Sequence, residues 1–264
     1  MTTAQSGART ARLDGIEMHY ELHGEGEPLV LLHGFTGTSG DWAHVFDLAE
    51  LGRAYTVIAP DLRGHGRSTS PGAPFTIRQC ALDVLALLDQ LGVTRYRAVG
   101  LSFGANALLH MATQRPDRVE SMVLVAATPY FPAQARALMR AFSDAPRSAE
   151  EWAEMRGRHE LGDEQILALW RQPGHFAEGY DDMSFTPPYL STITARTMIV
   201  NGDRDPFYPV ELSLEMYRAI PRACLWILPD GGHGPIFGAW RAPFARAALA
   251  FLRGEQGEPA EVRA

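Results

Sequence analysis

The chain has 264 residues and no lysine; all 24 of its basic residues are arginine. Without lysine there is no Schiff-base amine, no P-loop lysine for phosphates and no Ser-x-x-Lys pair. A coding bias toward arginine explains the absence. Cysteine is almost as scarce: Cys80 and Cys224 are too few for a disulfide framework, and two buried free thiols are expected. No G-x-G-x-x-G occurs, so no nucleotide cofactor is implied. No apolar run reaches 18 residues, which argues against a membrane span. Residues 1–12 are polar with no apolar core of a signal peptide, so a cytoplasmic protein is the expectation. Net charge is −7 with no basic run, which argues against nucleic acid as a partner. His19 and His23 lie four apart, but on a strand-like pattern and without the H-E-x-x-H order, so no metal site is expected.

What is present reads as an α/β protein. Short apolar runs recur at 29–32, 55–59, 97–100, 122–126, 197–200 and 225–228, with room for helices between them. Such runs predict a parallel sheet covered on both faces. Residues 16–22 alternate after Asp14-Gly15 and read as an antiparallel edge strand. Ile77, Ala81, Val84, Leu85, Leu88 and Leu91 keep helical spacing up to Gly92. Trp240, Phe244, Ala248 and Phe251 predict a closing helix with Pro243 in its first turn. The tail 254–264 is rich in Gly, Glu and Pro and is expected to fray.

The segment 128–194 is far longer than a crossover requires. Helical patterns lie near 133–142, 149–158 and 163–170. Tyr130, Phe131, Trp152, Trp170, Phe176, Tyr180, Phe185 and Tyr189 fall in it. It reads as a helical lid over the strand C-termini, where α/β proteins bind ligands. The expected division is a core of 1–127 and 195–264 with a lid of 128–194. Tyr130, Phe131, Trp152 and Phe207 are the candidates for contact with a substrate.

Gly100-Leu101-Ser102-Phe103-Gly104 follows an apolar run and precedes a helical stretch. In that context a G-x-S-x-G pentad is a nucleophile elbow, with Ser102 lifted above the sheet edge. A serine hydroxyl needs a base, and the base needs a group to orient it. Asp205 follows the run at 197–200, and His233 follows the run at 225–228 between glycines. The order Ser, Asp, His is the one this arrangement requires. Asp203 is the rival acid, its other reading being a turn carboxylate. The oxyanion formed by attack on a carbonyl needs preorganised donors. The Phe103 and Phe35 N–H groups are the candidates, Phe35 lying in the loop His33-Gly34-Phe35-Thr36-Gly37. His33 reads as a buried residue that holds this loop, and 61–68 as a self-capped turn.

Those five motifs, in order, give the chain a resemblance to the α/β-hydrolase fold family over about residues 11–253. The resemblance implies a mostly parallel eight-stranded sheet flanked by helices, a cap between strands six and seven, and no cofactor. Serine at 102 sets the chain apart from the family's dehalogenases and epoxide hydrolases, which use Asp there. Residues 32–35 with Asp41-Trp42 also look like a menaquinone-pathway lyase of the family, but Asn106 stands where that enzyme carries an anion-binding Arg. The leading expectation is hydrolysis of carboxylic esters with small to medium acyl groups. Lactone, carbon–carbon or lyase substrates use the same machinery, and some relatives are ligand receptors.

Overall fold

The computed structural model describes residues 6–72 and 74–255. The segments 1–5 and 256–264, the latter most of the tail expected to fray, lie outside the described residues. In chain order the elements begin with strands β1 (Gly7–Leu13), β2 (Ile16–His23) and β3 (Glu27–Leu32). A 3-10 turn at Ser39–His44 leads to the short helix α1 (Leu48–Leu51) and β4 (Tyr55–Pro60). Then come α2 (Ile77–Gln90), β5 (Tyr96–Leu101), α3 (Phe103–Gln114) and β6 (Val119–Val125). Four helices follow without a strand: α4 (Ala133–Asp144), α5 (Ala149–Arg158), α6 (Asp163–Glu178) and α7 (Pro187–Leu190). The chain ends with β7 (Arg196–Gly202), α8 (Val210–Ala219), β8 (Ala223–Leu228) and α9 (Arg241–Arg253).

Among the described residues eight strands form one sheet in the order β1-β2-β4-β3-β5-β6-β7-β8. Pairing is antiparallel at β1/β2 and β2/β4 and parallel from β4 onward. Alternation along each strand feeds two apolar clusters. Val30 and Leu32 join α2 and α3 on one face, while Leu29 and Leu31 join Trp42, Phe244 and Phe251 on the other. The eighth strand, β1, corrects the reading of 16–22 as the edge. Only Ala11 of β1 is buried, so no apolar run announced it, and β2 lies one place in from the edge. The continuous apolar run of β8 is only half-buried apart from Leu228, because it forms the other edge.

The helical patterns fall close to the helices, with one extension. α6 continues past 170 through Pro173, although an interior proline costs about 3 kcal/mol in an isolated helix. Ser143 of α4 accepts from Gly174 N at 2.7 Å beside that break. Arg136 of α4, buried, donates to the carbonyls of Ala177 (2.6 Å) and Gly179 (2.7 Å), which have few helical partners at the end of α6. The far end of the insertion is tied to the sheet layer. Asp182 accepts from Ile77 N (2.7 Å) and Arg78 N (3.0 Å) and so caps α2 from a segment distant in sequence. Cys80 is buried and free, whereas Cys224 is only partly buried, a departure from the expectation of two buried thiols. Among the described residues no helix is long and apolar enough to cross a membrane.

The turn after β4 is fastened to α2 by a buried bidentate pair. Arg63 donates to Asp83 through Nε (2.7 Å) and Nη2 (2.8 Å). Removing one partner strands a buried charge. Asp83→Ala is therefore expected to cost about 3–5 kcal/mol of stability, read as a fall in the urea midpoint. A cost within about 0.5 kcal/mol, the usual size for a surface change, would contradict this account of the turn.

Candidate active site

Ser102 sits between β5 and α3 with φ 49° and ψ −107°. Such a backbone costs on the order of 1–3 kcal/mol for a residue with a Cβ and persists only where its surroundings hold it. Here Ser102 N donates to Val125 O (2.7 Å), and Ser102 O accepts from Asn106 N (2.9 Å). Gly104 lets the helix approach β3: a Cβ there would lie 2.2 Å from Leu32 O. The elbow is thus wedged against the strand that leads into the His33 loop.

The acid and base arrive on the loops after β7 and β8. Those loops touch backbone to backbone, since a Cβ on Gly202 would sit 2.1 Å from Gly231 O. Asp205 Oδ1 accepts from Phe207 N (2.8 Å) and Tyr208 N (3.1 Å), which fixes the carboxyl plane. Its Oδ2 lies 2.8 Å from His233 Nδ1. His233 Nε2 lies 2.7 Å from Ser102 Oγ. A carboxylate accepts, so the ring proton sits on Nδ1 and Nε2 faces the serine hydroxyl as an acceptor. Phe207 and Tyr208 flank the imidazole with centroids at 4.8 and 5.3 Å. Asp203 does not take part: its nearest cation is Arg204 at 4.0 Å, on the surface.

Residues Gly34 to Gly37 form a tight turn closed by Gly37 N donating to Gly34 O at 3.0 Å. Thr36 has φ 60° while Phe35 is not left-handed, which makes the turn type II. His33 Nε2 accepts from Leu62 N (2.9 Å), so Nδ1 carries the proton and donates to Gly34 O (2.8 Å). Gly34 O and Phe35 N–H belong to one planar trans peptide and point opposite ways. Holding the carbonyl therefore aims the Phe35 amide. Phe103 opens α3, where the first N–H groups lack helical acceptors. The rings of Phe35 and Phe103 meet edge-on at 5.5 Å. Asp61 accepts from Ser39 N (2.7 Å) and Arg67 N (3.0 Å), and Ser68 Oγ donates to Asp61 O (2.6 Å). The turn at 61–68 is thus internally capped.

A cavity of about 280 Å³ opens above Ser102 and His233. Its walls include Ile77, Phe103, Phe131, Met139, Pro173, Phe176, Phe207 and Tyr208, with Phe142 and Phe237 partly exposed. Among the described residues its lining contains no Arg, Asp or Glu. Phe131 and Phe207 line it, but Tyr130 and Trp152 do not. Tyr130 turns outward, its hydroxyl 3.4 Å from Glu215. Trp152 packs edge-on against Trp170 at 4.5 Å. Met139, Phe142, Phe176 and Tyr208 were not among the candidates. Tyr208 follows Phe207 in the Asp205 turn; Phe176 belongs to the aromatic set of the segment 128–194, and helical spacing along α4 is the signal for Met139 and Phe142.

Three histidines, His33, His65 and His159, meet edge-on behind the turn, with the His65 ring 5.0 Å from His33 and 6.0 Å from His159. Burial pushes each pKa down, and the neighbouring imidazoles reinforce it at His65 and His159; His159 falls to about 4. Burial also lowers His110 to about 4 against the pull of Asp182. For each, the unfolded chain binds a proton more readily than the fold. Stability is then full above the ordinary value of 6.5 and lost as pH falls toward 4. The urea midpoint is expected to drop clearly between pH 7 and pH 5, and an unchanged midpoint would contradict the neutral cluster.

The model of the alpha/beta hydrolase family matches residues 29–247. A protein named as a carbamate hydrolase, RutD, from Pseudomonas savastanoi pv. phaseolicola (strain 1448A / Race 6) is 30% identical over 263 residues, spanning 90% of this chain and 98% of its own. The 2-hydroxy-6-oxononadienedioate/2-hydroxy-6-oxononatrienedioate hydrolase 2 of Pseudomonas putida is 29% identical, covering 93% and 94%. The crystal structure of the enol-lactonase from Burkholderia xenovorans LB400 superposes with a TM-score of 0.70 at 27% identity, covering 93% and 100%. On the match to residues 29–247 and the likeness over nearly its whole length, the chain belongs to the alpha/beta hydrolase family.

Proposed function

We propose that this hydrolase cleaves carboxylic esters with uncharged, small to medium acyl groups through an acyl-enzyme on Ser102. The observation that carries the reading is the relay Asp205–His233–Ser102, at 2.8 and 2.7 Å, facing a cavity without a charged wall. Its volume of about 280 Å³ is near the lower end for small-molecule sites. The names of the relatives span a carbamate, a dioate and an enol lactone. They support hydrolysis and leave the substrate class to the cavity of this chain. A dioate carries two carboxylates, and among the described residues no guanidinium faces the cavity to hold one.

In the proposed reaction His233 Nε2 takes the proton of Ser102 Oγ as the oxygen attacks the ester carbonyl. The Phe35 and Phe103 N–H groups receive the oxyanion. Asp205 stabilises the imidazolium, which protonates the departing alcohol as the carbon–oxygen bond breaks. Water, deprotonated by His233, then attacks the acyl carbon; the imidazolium returns that proton to Ser102 Oγ as the bond from Oγ to the acyl carbon breaks, and the acid leaves. Helices α4 and α6 supply Met139, Phe142, Pro173 and Phe176 to the cavity wall and in this reading act as a lid over the acyl group.

Three expectations follow for p-nitrophenyl esters from acetate to dodecanoate. Turnover peaks at a short or medium chain and vanishes in Ser102→Ala. Asp205→Asn loses about 10³–10⁴-fold in kcat by removing the proton acceptor that sets the tautomer, whereas Asp203→Asn stays within about twofold. An acyl chain ending in a carboxylate is cleaved at least about tenfold more slowly than its neutral counterpart, because its charge would be buried unpaired. Preference for the carboxylated chain would overturn the argument from the neutral wall.

A further inference from the structure

His159 ends α5, in the insertion, yet its imidazole is buried against two loops of the sheet layer. Gly66 N donates to its Nδ1 at 2.9 Å. An amide N–H can only donate, so Nδ1 is the acceptor and the ring proton resides on Nε2. Nε2 in turn lies 3.2 Å from Thr36 O, a carbonyl that only accepts. The two bonds together demand a neutral ring of one tautomer. Burial and the nearby His33 keep the ring neutral through the ordinary pH range.

Thr36 is the unusual residue of the turn that carries the Phe35 amide. Its φ of 60° is the position of a type II turn that glycine or asparagine normally fills. A β-branched residue there is strained and must be held from outside. His33 holds the first carbonyl of the turn, at Gly34, and His159 holds the carbonyl of Thr36.

We propose that His159 is a positioning residue of the oxyanion turn: its Nε2–H fixes Thr36 and thereby the aim of the Phe35 amide. The proposal rests on the acyl-enzyme reading above. It differs from a plain fastening of the insertion, because that fastening is built elsewhere as well. Glu160 N donates to Gly66 O (3.2 Å), Gln165 Nε2 reaches Gly64 O and Gly66 O (both 3.0 Å), and Arg158 pairs with Asp41 at 3.0 Å. None of these bonds touches Thr36.

Two conservative variants separate the functions of the two ring nitrogens. His159→Asn keeps an acceptor near the Nδ1 position, for Gly66 N, and loses the donor to Thr36 O. His159→Gln keeps a donor near the Nε2 position and gives up the bond from Gly66. Each is compared with wild type and Gln165→Ala in ester kcat and KM, in urea midpoint, and in the rate of labelling by a fluorophosphonate. In that reaction Ser102 Oγ bonds to phosphorus, fluoride leaves, and the hydroxyl proton passes to His233.

Loss of a whole oxyanion donor costs about 10²–10³-fold. His159→Asn, which only loosens one, is expected to lose about tenfold in kcat and in labelling rate, with KM and urea midpoint little changed. His159→Gln and Gln165→Ala are expected to stay within about twofold. If Asn matches wild type, or Gln165→Ala falls as far as Asn, His159 is a fastening and the proposal is wrong. Labelling of wild type at Ser102 without any ester turnover would remove the ester reading alone, and the labelling rates would still decide the function of His159. Absence of labelling in folded wild type would overturn both.

Discussion

The hydrogen bond between Asp205 and His233 is the constraint on which the site depends. It places the ring proton on Nδ1, and that placement alone makes Nε2 an acceptor toward Ser102. The geometry that delivers it is backbone packing. The loops after β7 and β8 approach at Gly202 and Gly231 so closely that no side chain fits between them. The Asp205 turn uses its other oxygen to hold Phe207 and Tyr208, which then brace the imidazole from its sides. One carboxyl group therefore sets a tautomer, a loop and part of the cavity wall.

Histidine serves two different purposes within one small region. His233, partly exposed, stands between Asp205 and Ser102, where the proposed reaction moves a proton. His33, His65 and His159 are buried in a neutral state. His33 and His159 each join an amide on one loop to a carbonyl on another. A neutral imidazole is suited to this because it offers one donor and one acceptor about two ångströms apart on a rigid ring. The consequence is a fold whose turn at 34–37 is held by groups that stop functioning when protonated, so acid is expected to weaken the turn and the fold together.

Much of this was legible in the sequence because it follows from strand ends. Ser102, Asp205 and His233 each come just after a short apolar run, and the sheet brings such ends to one edge. The closeness of the Phe35 turn to the start of α3 was legible for the same reason, both being loops at strand ends that glycine permits, and the use of their amides as oxyanion donors is part of the proposal. β1 was not, since its burial rests on one alanine. The course of α6 through Pro173 was not, because the compensation comes from Ser143 on another helix. Tyr130 and Trp152 show why the helices between β6 and β7 resist this kind of reading. Their residue type suggested a cavity wall, but the direction of a side chain is set by packing between helices. His159 carried no local signal at all: its partners lie 93 and 123 residues away and are main-chain atoms.

The central claim is that an acyl group passes through Ser102. The most direct measurement is rapid acid quenching of a p-nitrophenyl ester reaction within the first turnover, followed by intact mass and peptide mapping. The account predicts a mass increase equal to the acyl group, carried on Ser102 and absent in Ser102→Ala. Turnover of the ester with no adduct at any quench time, or with the adduct on another residue, would contradict it.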